Sequence, residues 1–281
     1  MKLTSLTARG RNYRETMLLV VLIGLTSVFL LPLAWTVLTS LKLHKDIFTY
    51  PPKWVFQPTL ENYAYVLQRS EYLKYMLNSA AVSLSSAGFS VLIGAMAAYA
   101  FTRFRIRASN HLLLWILSLR MIPPIAVVVP FYLMAIRSGL YDTRVGLAIV
   151  LLTVNLPIAV WLQLSYIREI PIELEEAAMV DGSSRLGAFL RIVLPLEAPG
   201  LFATFIMCLI FSWNEFPLSL ILTSQQARTL PVSMLSWDTQ RGLLWGYMMS
   251  ASVMAVAPIL LLTAVIQKYL VRGLTLGGVK E

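Results

Sequence analysis

The sequence predicts an all-α integral membrane protein with six transmembrane helices, and three observations carry that prediction. Only 13% of the 281 residues are charged while 58% are hydrophobic, whereas a soluble domain carries roughly a quarter charged residues. Mean hydropathy is correspondingly high at +0.71, so most of the surface must face something other than water. The apolar residues also gather into runs of the length a helix needs to cross a bilayer, about 20 residues. Polar stretches marked by proline and glycine divide these runs.

Residues 1–16 form a basic tail with Lys2, Arg9, Arg11 and Arg14, and the first span, residues 17–39, carries no charge. A basic stretch ahead of an apolar run also describes a signal peptide. This run is longer than an ordinary signal core and no small-x-small cleavage pattern follows it, so it reads as a retained span. Residues 40–77 are the longest connection, broken by Pro51, Pro52 and Pro58 and rich in aromatics such as Tyr50, Trp54, Phe56, Tyr63 and Tyr65. Leu60, Tyr63, Ala64 and Leu67 recur there at helical spacing and predict a short amphipathic helix. The aromatics suit residues resting at a membrane interface or a contact surface for an outside partner. Residues 78–101 are the second span, rich in the Ala, Ser and Gly that let helices approach closely in lipid. The third, residues 112–136, is interrupted by Pro123, Pro124 and Pro130, which free backbone carbonyls and bend a span. Residues 146–167, 201–222 and 244–266 are the fourth, fifth and sixth spans, and residues 267–281 form a closing tail.

A net charge of +9 would suit a nucleic-acid binder, but the Lys and Arg residues crowd into short loops beside the spans. The two tails and the loops after spans two and four hold 13 of the 23 basic residues, and such an excess marks the cytoplasmic side. Both termini and residues 168–200 are therefore expected to be cytoplasmic, and residues 40–77 to face out. Cys208, the single cysteine, lies in an apolar run, and His44 and His111 stand far apart, so neither a disulfide framework nor a metal-ligand cluster is available.

Residues 168–200 read as a helical hairpin. Pro171 suits the first turn of a helix, and Glu173, Glu175 and Glu176 lie near the positive end of its dipole. Ala177 and Ala178 leave a side open to another backbone. Asp181-Gly182 supplies a sharp reversal, because glycine tolerates the left-handed conformation it needs, and Ser183 or Ser184 caps a second helix. Leu186, Phe189, Leu190 and Val193 would form the apolar face of that helix, which is expected to stop near Pro195. Pattern alone describes an amphipathic hairpin packed beneath the membrane, or a docking surface that receives force from another protein.

The run Glu176-Ala177-Ala178, three residues, Gly182, nine residues, Ile192-x-Leu194-Pro195 resembles the signature of the membrane subunits of binding-protein-dependent ABC importers. Ser40-Leu41-Lys42, Ala98-Tyr99-Ala100-Phe101-Thr102-Arg103 and Trp213-Asn214-Glu215-Phe216 are similar to the carbohydrate branch, and within it to the second, maltose-type permease with its type I fold. The resemblance implies that the hairpin is a coupling helix seated in a groove of an ATP-binding subunit, with Glu175, Glu176, Ala177, Ala178, Asp181 and Gly182 at the contact. It implies as partners a second homologous permease, a dimer of ATP-binding subunits, an extracytoplasmic solute-binding protein and a sugar, in a bacterial inner membrane. There is no Gly-x-x-x-x-Gly-Lys-Ser/Thr loop here. The chain is thus expected to be no enzyme and to hold no cofactor, ATP and magnesium being bound by the partner.

Arg120 and Glu215 are the ionisable residues placed well inside spans. A charge there costs about 3 kcal/mol on insertion scales, so such groups face a cavity or pair. At about 1.5 Å rise per residue their depths differ by roughly 10 Å, which argues against a direct pair. Sugar hydroxyls ask for hydrogen-bonding groups and an aromatic face, and Asn214, Glu215, Trp213 and Tyr132 are candidates for the substrate path; Asn214 and Glu215 alternatively brace helix contacts. Arg120 departs from the uncharged polar residue usual in the family and points to an anionic or modified sugar. A polyol or glycerol phosphate ester would use the same machine. An ion-driven transporter would need paired carboxylates or inverted repeats at mid-membrane, where only Glu215 qualifies, and a membrane enzyme would need a convergent catalytic set, which is lacking.

Overall fold

The structure is a computed structural model that describes residues 4–69, 71–239 and 242–276. The tail residues Lys2 and Lys280 and the loop residue Arg241 lie outside the described residues. Among those described, five helices are long and apolar enough to cross a membrane, and up to six if one bent pair counts as a span. The chain divides into two units, residues 1–70 with 237–254, and residues 71–236 with 255–281.

In the first unit, α1 (Thr4–Ser40) merges most of the basic tail with the first span in one 37-residue helix. Its apolar side chains from Met17 to Leu33 are exposed, as suits a helix solvated by lipid tails that are themselves apolar. The aromatic connection is held locally to the end of this helix. After the short α2 (His44–Ile47) comes α3 (Glu61–Arg69), whose Asn62 donates through Nδ2 to the carbonyls of Ser40 at 2.8 Å and Lys42 at 2.9 Å. Those are carbonyls a helix end leaves without partners. The Lys42 ammonium lies 4.9 Å from the Trp35 ring and 5.1 Å from that of Phe56. Tyr65 stacks on Tyr247 at 4.1 Å, beyond a short antiparallel ribbon of β1 (Asp238–Thr239) and β2 (Gly242–Leu243).

The second unit is organised by α4 (Tyr72–Arg103), α7 (Arg144–Glu169) and α10 (Leu194–Trp213). Small residues set the spacing between them. A Cβ on Gly94 would sit 2.9 Å from Ala159 Cβ, and one on Gly200 only 2.4 Å from the Tyr166 ring. Side-chain hydrogen bonds tie the same three helices: Asn155 Nδ2 donates to Ser212 Oγ at 2.7 Å, and Ser212 Oγ bonds Ser86 Oγ at 2.8 Å. At the end of the bundle away from the hairpin, the Asp142 carboxylate accepts four successive backbone N–H groups, from Ser224 to Ala227, at 2.8–3.1 Å. Asn78 grips the same segment, donating to the carbonyls of Gln226 and Arg228 and accepting from Arg144 Nε.

Three boundaries differ from expectation. The third span is not one helix but α5 (Ser109–Ser118), a 3-10 turn at Leu119–Met121, and α6 (Pro124–Arg137), bent by 92°. Ile122 and Pro123 are extended, with ψ of 120° and 134°, because a residue followed by proline is pushed out of the helical region. The second proline then starts α6, while Pro130 lies inside α6 without ending it. The hairpin's second helix does not stop near Pro195. From α9 (Arg185–Ala188) the chain passes through a π turn, Phe189–Val193, directly into α10. The wider turn lets the helix pass a proline whose ring would strike the carbonyl four residues back in regular α geometry. The fifth span ends early, at Trp213, and resumes as α11 (Pro217–Leu222), with Pro217 at the new helix start. Further on, α12 (Leu230–Ser233) leads toward the ribbon and α13 (Trp245–Leu276).

Candidate functional site

The hairpin is a rigid projection. Its first helix, α8 (Ile172–Val180), starts after Pro171 and is followed by Asp181 and Gly182, whose φ of +93° makes the reversal. Ser184 Oγ accepts from Gly187 N at 3.1 Å and caps the second helix. Glu175 fastens this projection to the bundle. Its carboxylate accepts from Arg103 Nε at 2.6 Å and from the Tyr99 hydroxyl at 2.8 Å. Arg103 also donates through Nη2 to the carbonyl of Ile170 at 2.8 Å. Both members of the ion pair are buried, with 8% and 4% of their side chains exposed. Glu175 therefore sits on the inward face of α8, buried against Tyr99 and Arg103 of α4, where it was expected among the residues at the contact with an ATP-binding subunit. Glu176, Ala177, Asp181 and Gly182 are exposed and Ala178 half-exposed. The apolar face expected for the second helix splits: Phe189 and Val193 are buried in the bundle, while Leu186 and Leu190 are exposed. With Val180 at 87% exposure, they leave apolar side chains exposed on the hairpin beside Glu176 and Asp181.

A second locus is a half-open cavity of about 470 Å³, walled by the bent third span, α7 and α10. This is within the roughly 300–1,000 Å³ of typical ligand pockets. Arg120 and Glu215 both line it, with Asn155, Ser212, Phe131 and Phe211. Arg120 donates through Nη1 to the Val154 carbonyl at 3.1 Å, and its Cζ lies 4.4 Å from the Phe211 ring centre. That carbonyl lies three residues before Pro157, a proline inside α7 that disturbs the helix's own hydrogen bonding. Glu215 is turned to α11: Oε1 accepts from Leu218 N at 2.8 Å, and Oε2 from Ser219 N at 2.9 Å and Ser219 Oγ at 3.0 Å. The carboxylate thus occupies N–H groups that a helix start leaves open.

Three expected path residues lie elsewhere. Trp213 is buried and donates through Nε1 to the Ala255 carbonyl at 3.2 Å. Asn214 turns back to the Ile210 carbonyl, and Tyr132 packs edge-on to Tyr141 at 5.5 Å. Asn155 and Ser212 were not anticipated, although a lone Asn within an apolar span was a visible signal. Glu197 was missed as well. Because the hairpin runs on into α10, it lies within that helix, 2% exposed, and neither carboxylate oxygen has a hydrogen-bond partner among the described residues.

Residues 90–276, which include both loci, match the model of the binding-protein-dependent transport system inner membrane component. The chain belongs to this family. A probable ABC transporter permease of Sinorhizobium fredii is 38% identical over 91% of this chain and 92% of its own length. The trehalose/maltose transport system permease protein MalG of Thermococcus litoralis is 32% identical over 97% and 99%. A crystal structure of a bacterial ABC transporter involved in import of the acidic polysaccharide alginate superposes with a TM-score of 0.76 at 21% identity, covering 93% of this chain and 98% of that one. The chain is thus a permease component of the inner membrane with the fold of an ABC importer permease, and its family membership assigns it transport.

Proposed function

We propose that this chain is one of two permease subunits of an ATP-driven, binding-protein-dependent importer of a saccharide, and that its hairpin transmits movement from a separate ATP-binding subunit. The observation that carries the reading is the construction of the hairpin. Apolar Val180, Leu186 and Leu190 stand exposed beside Glu176 and Asp181, and buried Arg103 and Glu175 join its base to α4. A surface of that kind buries its apolar side chains in a partner, and a stiff base passes the partner's displacement to the bundle. Glu176, Ala177, Ala178, Asp181 and Gly182 make the contact in this reading, and Glu175 positions the hairpin. ATP and magnesium belong to the partner. The hairpin and both termini are cytoplasmic, on the side where basic loop residues concentrate, and a solute-binding protein delivers substrate to the other face. The saccharide follows from the relative named for trehalose and maltose and from a cavity that combines aromatic rings with Asn155 and Ser212.

Purification from native membranes in mild detergent should return a second permease and an ATP-binding subunit in stoichiometric amounts. Glu176→Lys changes an exposed charge, and Gly182→Val puts a β-branched residue at φ +93°, where it is a conformational outlier. Both variants should insert in the membrane and reduce ATP-driven uptake to background. Uptake at the wild-type rate in either variant, or a chain that transports with no ATPase bound, would overturn the reading.

A further inference from the structure

Arg120 carries the one guanidinium on the cavity wall. Its Nη1 donates to the Val154 carbonyl and its Cζ lies over the Phe211 ring. No ion pair to it is present among the described residues. Glu215 lines the same cavity, with its carboxylate bonded to Leu218 and Ser219 at the start of α11 rather than to Arg120. A guanidinium presents five N–H donors in a planar fork suited to an oxyanion, and the bond to Val154 holds this one in place with donors left over. Asn155 and Ser212 are fixed on the neighbouring wall by their mutual hydrogen bond. A positively charged fork, hydroxyl and carboxamide groups, and the rings of Phe131 and Phe211 therefore share one space.

We propose that this cavity takes an oxyanion carried on a polyhydroxylated skeleton, that is an acidic saccharide or sugar ester, with the oxyanion on Arg120. The proposal rests on the reading of the chain as a saccharide permease and names the substrate class. A carboxylate, a sulfonate and a phosphate ester offer the fork the same chemistry. Hydroxyls near the charge meet Asn155 and Ser212, and the apolar face of the ring meets the aromatic wall. Passage needs only transient binding, and a single fork without a second cation provides that.

The test is equilibrium binding of four probes to the intact, detergent-purified importer complex: methyl glucoside, methyl glucuronide, a 6-sulfonated methyl glucoside and glucose 6-phosphate. The charged probes should bind at least about ten-fold more tightly than the neutral one, the size expected for one charge-assisted contact, and their ranking identifies the oxyanion. Arg120→Gln should abolish that preference, and Arg120→Lys, which keeps the charge, should retain part of it. Equal binding of neutral and charged probes to the wild-type complex overturns the proposal whatever the variants do, as does binding of none. Either result leaves the ATP-driven importer standing if the ATP-binding subunit and second permease co-purify; a complex without them fails the parent reading instead.

Discussion

Two glutamates of the second unit are buried to the same degree, Glu175 at 3% and Glu197 at 2% exposure, and they are held in opposite ways. Glu175 has Arg103 and Tyr99 on its two oxygens. Glu197 has no partner on either oxygen among the described residues. The first joins two elements, α8 and α4, so its charge is part of the connection between hairpin and bundle. The second sits inside one helix and joins no two elements through a hydrogen bond or ion pair of its carboxylate among the described residues. Burial alone therefore says little about what a carboxylate contributes. Its partners decide, because removing half of a buried pair strands the other charge, whereas a group without partners has no bond to lose.

The comparison is broken most strongly at Arg103. Arg103→Ala leaves Glu175 buried and unpaired, and should cost about 3–5 kcal/mol, measured by thermal or denaturant unfolding in detergent. Glu175→Gln should lose less, since a carboxamide can still accept from Tyr99. If either variant unfolds like wild type, the pair is not what holds the hairpin.

Asp142 sharpens the comparison as an intermediate case, its partners being backbone N–H groups. Partial burial raises its carboxyl, but the four N–H groups of Ser224–Ala227 outweigh that and hold it below the ordinary carboxylate range. Asp142 has φ +54°, a conformation asparagine also tolerates, so Asp142→Asn removes charge without backbone strain. The expected cost is about 1–2 kcal/mol, the lower end of charged hydrogen bonding because water reaches the site. A depressed native pKa stabilises the fold fully above the unfolded value, about 3.9, and that contribution is lost as pH falls through the native value. The gap between Asp142→Asn and wild type should thus be constant from about pH 7 down to pH 5 and close below about pH 4. A gap independent of pH would assign the effect to shape rather than charge.

The smallest effect is expected at Glu197. Glu197→Gln preserves shape and breaks no partnered group, so unfolding should shift by less than about 1 kcal/mol. A loss as large as that of Arg103→Ala would mean that a partner of Glu197 exists in another state of the transporter.

What could be read from the chain was local or compositional. The spans follow from runs of apolar residues, because lipid asks for little else of a helix. The hairpin is equally legible: Pro171 opens it, Asp181-Gly182 turns it and a serine caps its second helix, each acting within a few residues of itself. The importer signature lies on that same stretch. Only tertiary structure decided the rest. Pro123 and Pro124 announced a break, but its 92° angle depends on what α5 and α6 pack against. Pro195 looked like a stop, and a π turn carried the helix past it, moving Glu197 from a loop into a span. Arg120, Asn155 and Ser212 come from three separated segments: Asn155 and Ser212 meet where α4, α7 and α10 approach closely at Gly94 and Gly200, and Arg120 reaches the same cavity from the turn before the bend. A cavity is a property of several helices at once, and no single helix's pattern encodes which of its residues will face it.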